Sequence, residues 1–257
     1  LRGLYNAAGS MLVRQVCLEN ISNNLSNLNT PGYKRGEVVK RTFPEILLYR
    51  TQRTAPGQAI LSGPIGIAAE NIAVEETVAV HEPGALLSTG RQLDVALQGP
   101  GFFVLDTPEG PRYTRDGRFH LSADGVLVNS GGYPLLGQGG AIQLQGSSPA
   151  IDGEGNIYDG DELVDTLQLA VFEPEDVLWK DRYNMYGAPE GAAVVAGAGA
   201  AGETEVFQGY LEESNADLAR QMTDLVKVRR SYEASQRLAQ VYDRLLSRAA
   251  NDLGTLG

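Results

Sequence analysis

The chain has 257 residues, 42% of them hydrophobic and 21% charged, which suits one or two folded domains and excludes a wholly disordered chain. Its net charge of −11 is unevenly placed: residues 1–53 carry +5, residues 54–213 carry −18 and residues 214–257 carry +2, so the acidic middle argues against nucleic acid as a partner. One cysteine, Cys17, and two distant histidines, His81 and His120, exclude a disulfide framework and a zinc site built on several cysteines.

In chain order, the first segment reads as a helix over residues 3–28. Leu4, Met11, Leu18 and Leu25 step by seven, and Ala7, Ile21 and Leu28 fill the companion positions, with Arg14 interrupting them. A seven-residue apolar step keeps one stripe facing a helical partner. The helix is expected to stop near Asn29, because Thr30 precedes the breaker Pro31-Gly32. Cys17 lies inside it and reads as a small core-edge residue. Residues 36–84 read as extended segments broken at Pro44, Pro56-Gly57 and Gly63-Pro64, with strand character over Glu75–His81.

Residues 91–172 read as β throughout. Asp116-Gly117 and Asp124-Gly125 are turn dipeptides that favour tight hairpins. Gly187, Gly191, Gly197, Gly199 and Gly202 mark residues 187–202 as a return loop. Leu211–Leu253 then has neither Gly nor Pro, and a helix of that length would run about 65 Å at 1.5 Å per residue. Ser214 is the expected N-cap, with Asp217 in the first turn. Leu218, Leu225, Tyr232, Ala239, Leu246 and Leu253 form one seven-residue seam; Val228, Tyr242, Ala249 and Leu256 form a second, with Ser235 as its polar exception. A single helix this long cannot bury its stripe on a small domain, so residues 3–28 and 214–253 are expected to pair. The expected fold class is α+β: paired terminal helices with a mainly β part inserted between them. The expected division is residues 1–35 with 210–257 as the helical domain, 36–84 as a connecting segment and 85–209 as the β domain.

The search for chemistry finds little. Neither histidine has a cysteine or histidine beside it. Asp152, Glu154 and Asn156 fall at the first, third and fifth positions of a calcium loop, but Ile157 stands where glycine is needed and Leu163 where a bidentate Glu is needed. Two acidic hairpin turns are expected there instead. No phosphate loop and no nucleophile elbow is present. No catalytic residue, metal or cofactor is called for. No apolar run approaches the ~20 residues that span a bilayer, so no membrane insertion is expected, and Leu1–Ser10 has no signal-peptide pattern.

Three stretches carry a family resemblance. Leu1–Met11, followed by Asn20-Ile-Ser-Asn-Asn-Leu-Ser-Asn-Leu-Asn-Thr-Pro-Gly-Tyr-Lys34, is similar to the N-terminal signature of the bacterial flagellar rod and hook family. Leu93–Phe103 with Tyr113-Thr-Arg-Asp-Gly-Arg-Phe119 resembles its central signature. Gly209-Tyr-Leu-Glu-Glu-Ser-Asn215 with Arg230-Ser-Tyr-Glu-Ala234 resembles its C-terminal signature. Phe43–Tyr49 followed by Thr54-Ala-Pro-Gly57 is similar to the extension of the distal-rod type, with the proximal-rod type and the Gram-positive rod proteins as near relatives.

The resemblance implies a structural subunit of the basal-body rod, exported without a cleavable signal and located in the flagellar basal body outside the cytoplasm. Such subunits polymerise into a hollow helical tube that transmits torque to the hook. The implied partners are further copies of the chain, other flagellar rod and hook proteins and the flagellar type III export apparatus. The residues expected at assembly contacts are Leu4, Met11, Leu18, Leu25, Leu218, Leu225, Tyr232, Leu246 and Leu253 on the seams, and Asn23, Asn24 and Asn27 where the first helix ends. The alternative is a secreted or surface-bound β-rich binding module with a helical stalk. For it Trp179, Tyr183 and Tyr186 are the candidate groove aromatics, although core or edge packing is their default reading.

Overall fold

The computed structural model describes residues 2–42, 45–52, 61–69, 72–145, 149–160, 162–172, 178–189, 191, 194–197 and 204–254. The fold is α+β: one N-terminal helix, a long run of short strands and one C-terminal helix. The chain divides into two compact units, one formed by residues 1–23, 37–78 and 219–257, the other by 24–36 and 79–218.

The first unit contains helix α1 (Arg2–Ser26) up to Asn23 and helix α2 (Leu218–Gly254) from Ala219. The two helices run antiparallel. Arg14 Nε donates to Ser231 Oγ at 2.5 Å, and a Cβ on Gly3 would meet the Tyr242 ring. The close-packed line is shifted from the leucine seam. On α1 up to Asn23 the buried positions are Ala7, Val13, Cys17 and Ile21, while Leu4, Met11 and Leu18 are half-buried. On α2 the buried positions are Gln221 and Ser235, seven apart on either side of half-buried Val228. The buried line mixes small residues (Ala7, Cys17, Ser235) with larger ones (Val13, Ile21, Gln221), and Ser235 satisfies its own hydroxyl on the Ser231 carbonyl at 3.0 Å. Ser214 does not cap α2. Its hydroxyl accepts from Ala216 N–H at 3.3 Å and the helix begins only at Leu218.

Between the helices, Gly36–Thr42 pairs with Ile72–Ala79, and Glu45–Gln52 pairs antiparallel with Leu61–Ala69. Gly63-Pro64 does not break its strand. The register shifts there, with Leu48 opposite Gly66 and Tyr49 opposite Pro64, and a proline is tolerated because a two-stranded ribbon is all edge. The expected breaks at Pro44 and Pro56-Gly57 lie outside the described residues.

The second unit is built on a six-stranded antiparallel sheet in the order Trp179–Lys180, Met185–Gly187, Arg112–Thr114, Phe102–Leu105, Gln168–Val171, Val194–Gly197. Phe102–Leu105 is buried at every position, because alternate side chains enter two different cores. Phe103, Leu105, Leu169 and Met185 join Phe119, Leu127, Leu135, Ile142, Ile157 and Leu167 on one face. Phe102, Val104, Tyr113, Ala170 and Tyr186 form the other. The strand Val194–Gly197 lies inside the Gly/Ala-rich tract, which is therefore partly strand rather than loop throughout.

The Asp124-Gly125 hairpin forms, with Leu121 opposite Leu127 and Gly125 at φ +77°. The Asp116-Gly117 hairpin does not. Arg112–Thr114 pairs with Phe102–Leu105 and Met185–Gly187 instead, and Gly117 is required for close approach: a Cβ there would overlap the Val95 carbonyl oxygen. The acidic turns at Asp152 and Asp159-Gly160 connect the three-stranded sheet Pro149–Ile151, Asn156–Asp159, Glu162–Thr166. Asp152 accepts from the backbone N–H groups of Glu154 and Asn156. Among the described residues no cluster of side chains suits a metal, and no helix is long and apolar enough to cross a membrane.

Candidate functional site

Two places concentrate the residues singled out by the sequence. The first is the helix pair of the first unit. Leu225 and Tyr232 on α2 are half-buried, and Leu218 and Leu246 are exposed. The side chain of Leu253 lies outside the described residues. Around them the pair presents further large apolar side chains to solvent: Tyr5, Leu12, Met222, Val226, Leu238, Val241 and Leu245 are each more than half or about half exposed. A helix pair that leaves this much apolar surface open is not a finished core.

The second is a buried clamp in the second unit, where all three motifs meet. The chain leaving α1 turns at Pro31-Gly32, and Lys34 follows with 1% exposure. Its ammonium donates to Glu212 Oε1 at 2.5 Å and to the Glu82 carbonyl at 2.8 Å. Glu212, 2% exposed, sits at the end of the strand Tyr210–Glu212 that pairs with Leu86–Ser88. Its Oε1 also accepts from Gly84 N–H at 2.8 Å, and its Oε2 lies 3.5 Å from Arg115. Arg115, from the central motif, donates to the Leu97 and Gly99 carbonyls at 3.3 and 2.6 Å and lies over the Phe102 ring. Burial lowers the Lys34 and Arg115 pKa values, and the facing Glu212 carboxylate pulls both back up. Two cations thus share one anion inside the protein, a geometry in which each partner depends on the others.

The asparagines of the motifs hold the same loop. Asn24, 1% exposed, bonds Gly36 from both ends of its amide at 2.9 and 3.0 Å, and its Oδ1 also accepts from the Tyr33 hydroxyl at 3.0 Å. Burial raises the Tyr33 pKa, which keeps that hydroxyl a donor. Asn215 accepts from Arg35 N–H at 2.7 Å and donates to the Val80 and Glu82 carbonyls. That use of Asn215 holds the chain out of helical geometry and explains the late start of α2. Asn27 is half-buried and accepts from the Thr30 hydroxyl at 3.2 Å, while Asn23 is exposed. Asn24→Ala would strand three buried groups, and we expect a loss of roughly 2–3 kcal/mol, read by urea unfolding; an unchanged midpoint would contradict the bonding.

The structure brings together Asn24, Lys34, Arg115, Glu212 and Asn215. Of these only Asn24 stands among the sequence-derived site residues. The others lie within the quoted motifs, and their charge or amide inside an otherwise apolar or turn-forming stretch is the signal that marks them. The groove aromatics do not form a groove. Tyr186 is wholly buried in the second core, whereas Trp179 and Tyr183 are exposed.

Family models match in chain order: the flagella basal body rod protein model over residues 4–34, the flagellar hook protein FlgE/F/G D1 domain over 96–159, and the flagellar basal body rod FlgEFG protein C-terminal model over 208–253. The chain is 34% identical over 271 residues to the flagellar basal-body rod protein FlgG of Agrobacterium fabrum, covering 98% of this chain and 100% of that one. It is 32% identical over 259 residues to the rod protein FlgF of Rhizobium meliloti, covering 98% of each. It is 29% identical over 270 residues to FlgG of Bacillus subtilis, again covering 98% of each. The clamp draws its members from all three matched regions or their borders, and the similarity runs from end to end: the chain belongs to the flagellar basal-body rod protein family.

Proposed function

We propose that this chain is a structural subunit of the flagellar basal-body rod, which polymerises into a hollow helical tube and passes motor torque to the hook. The observation that carries this reading is the end-to-end similarity to rod proteins named FlgG and FlgF. The open apolar surface of the helix pair supports it, since a heterologous contact repeated along an axis would cover that surface. In this reading Leu4, Met11, Leu18, Leu25, Leu218, Leu225, Tyr232, Leu246 and Leu253 make helix contacts within and between subunits. Asn23, Asn24 and Asn27 shape the turn at the subunit junction. Assembly is the work of residues 1–35 and 210–257; residues 85–209, joined through 36–84, bear the acidic surface. The chain acts without catalysis or a cofactor. Its partners are its own copies, other rod and hook proteins and the type III export apparatus, and its place is the basal body outside the cytoplasm. Cells lacking the chain should be non-motile, with basal bodies whose rods are truncated under the electron microscope, and the intact chain should restore both. Full-length rods in the deletion strain would sink the reading.

A further inference from the structure

Between α1 and α2 lies a pocket of about 270 Å³ whose lining includes Val13, Arg14, Cys17, Lys40, Lys227 and Val228. All of these lie in the first unit. Its lining combines apolar side chains with three cationic ones. Among the described residues Arg14 bonds neutral oxygens, the Ser231 hydroxyl at 2.5 Å and the Ser10 carbonyl at 3.0 Å. Lys227 is 69% exposed and, among the described residues, its one ion pair is with half-open Asp224. Among the described residues neither Arg14 nor Lys40 is paired with a carboxylate.

A half-buried guanidinium that interrupts an apolar seam and, among the described residues, bonds only neutral oxygens keeps N–H donors and a charge that an anion would match. The charge distribution supplies one. Counting Lys and Arg against Asp and Glu, the segments of the first unit carry net +3 and those of the second carry net −14. We infer that the Arg14–Lys40–Lys227 pocket is a socket for an Asp or Glu side chain from the acidic unit of a second copy of this chain. The inference rests on the rod reading and specifies one contact within it. Arginine offers a fixed fork for the carboxylate, and the two lysines add charge that steers the encounter and weakens with salt.

The test uses the full chain. Unlabelled and ¹⁵N-labelled protein are mixed, assembled at low salt and treated with a carbodiimide, which joins lysine amines directly to carboxylates. Mass spectrometry should find mixed-isotope pairs linking Lys40 or Lys227 to an acidic residue of residues 79–218. Same-isotope links to Asp224 are internal and are discounted. The double variant Lys40→Glu/Lys227→Glu should need at least tenfold more protein to assemble while keeping its melting temperature, because both side chains are exposed. Assembly of the double variant at the wild-type concentration, or mixed-isotope links only elsewhere, would overturn the socket alone. A wild-type chain that never assembles would overturn the rod reading and the socket together.

Discussion

Glu212→Ala should destabilise the protein by about 3–5 kcal/mol, the usual penalty for leaving buried charge without its partner. Glu212 is the common anion for Lys34 and Arg115, which are 1% and 6% exposed. Its removal leaves both cations buried and frees Gly84 N–H as well. Urea unfolding followed by circular dichroism gives the number. Glu212→Gln should fall in between, because an amide oxygen still accepts from Lys34 and Gly84 but carries no charge. The triple replacement Lys34→Met, Arg115→Met, Glu212→Leu should recover part of the loss, since an apolar set avoids the desolvation penalty altogether. A Glu212→Ala loss below about 1 kcal/mol would mean that water reaches the clamp and screens it.

Gly32→Ala is the second large effect. Gly32 has φ +65°, and a Cβ there would overlap the Arg115 backbone carbonyl, which has no flexible end to move aside. Gly32 N–H also donates to the Glu212 carbonyl at 2.7 Å. Gly90 provides the control: φ +68° and nothing within 4 Å of a Cβ. Gly90→Ala should cost only the left-handed backbone penalty, about 1–2 kcal/mol. Gly32→Ala should cost that much plus the displacement of the Pro31–Lys34 loop, roughly 3–5 kcal/mol in all. Equal melting points for the two variants would show that the Arg115 backbone yields without resistance.

The helices are readable in one dimension because their signals are local. A stretch such as Leu211–Leu253, free of Gly and Pro with apolar residues every seven, has few other solutions. The identity of the inner line is not readable in the same way. Large apolar residues dominate any periodicity, whereas Gly3 is matched to the Tyr242 ring of the other helix, and Ala7, Cys17 and Ser235 are buried although none is a large apolar residue. Gly117 shows the same limit from the other side. Asp-Gly is an honest turn signal, yet here the glycine serves proximity to Val95, a residue 22 positions earlier. The clamp is hardest to anticipate, because nothing in the composition near Lys34 indicates that its counterion lies 178 residues away. Each member carries a weak local mark, a charge in an apolar setting, and only the fold brings the marks together.

That separation of 178 residues also sets a schedule. A chain delivered N-terminus first cannot neutralise Lys34 until nearly all of the second unit has followed, and Val95–Gln98 must likewise wait for Glu205–Gln208. Pairings this distant give the topology a high contact order, so the closing step is slow relative to local hairpins. Glu212 is thus the late partner of an early residue: the loop after α1 gains its counterion once the strand Tyr210–Glu212 is present, with only α2 still to follow.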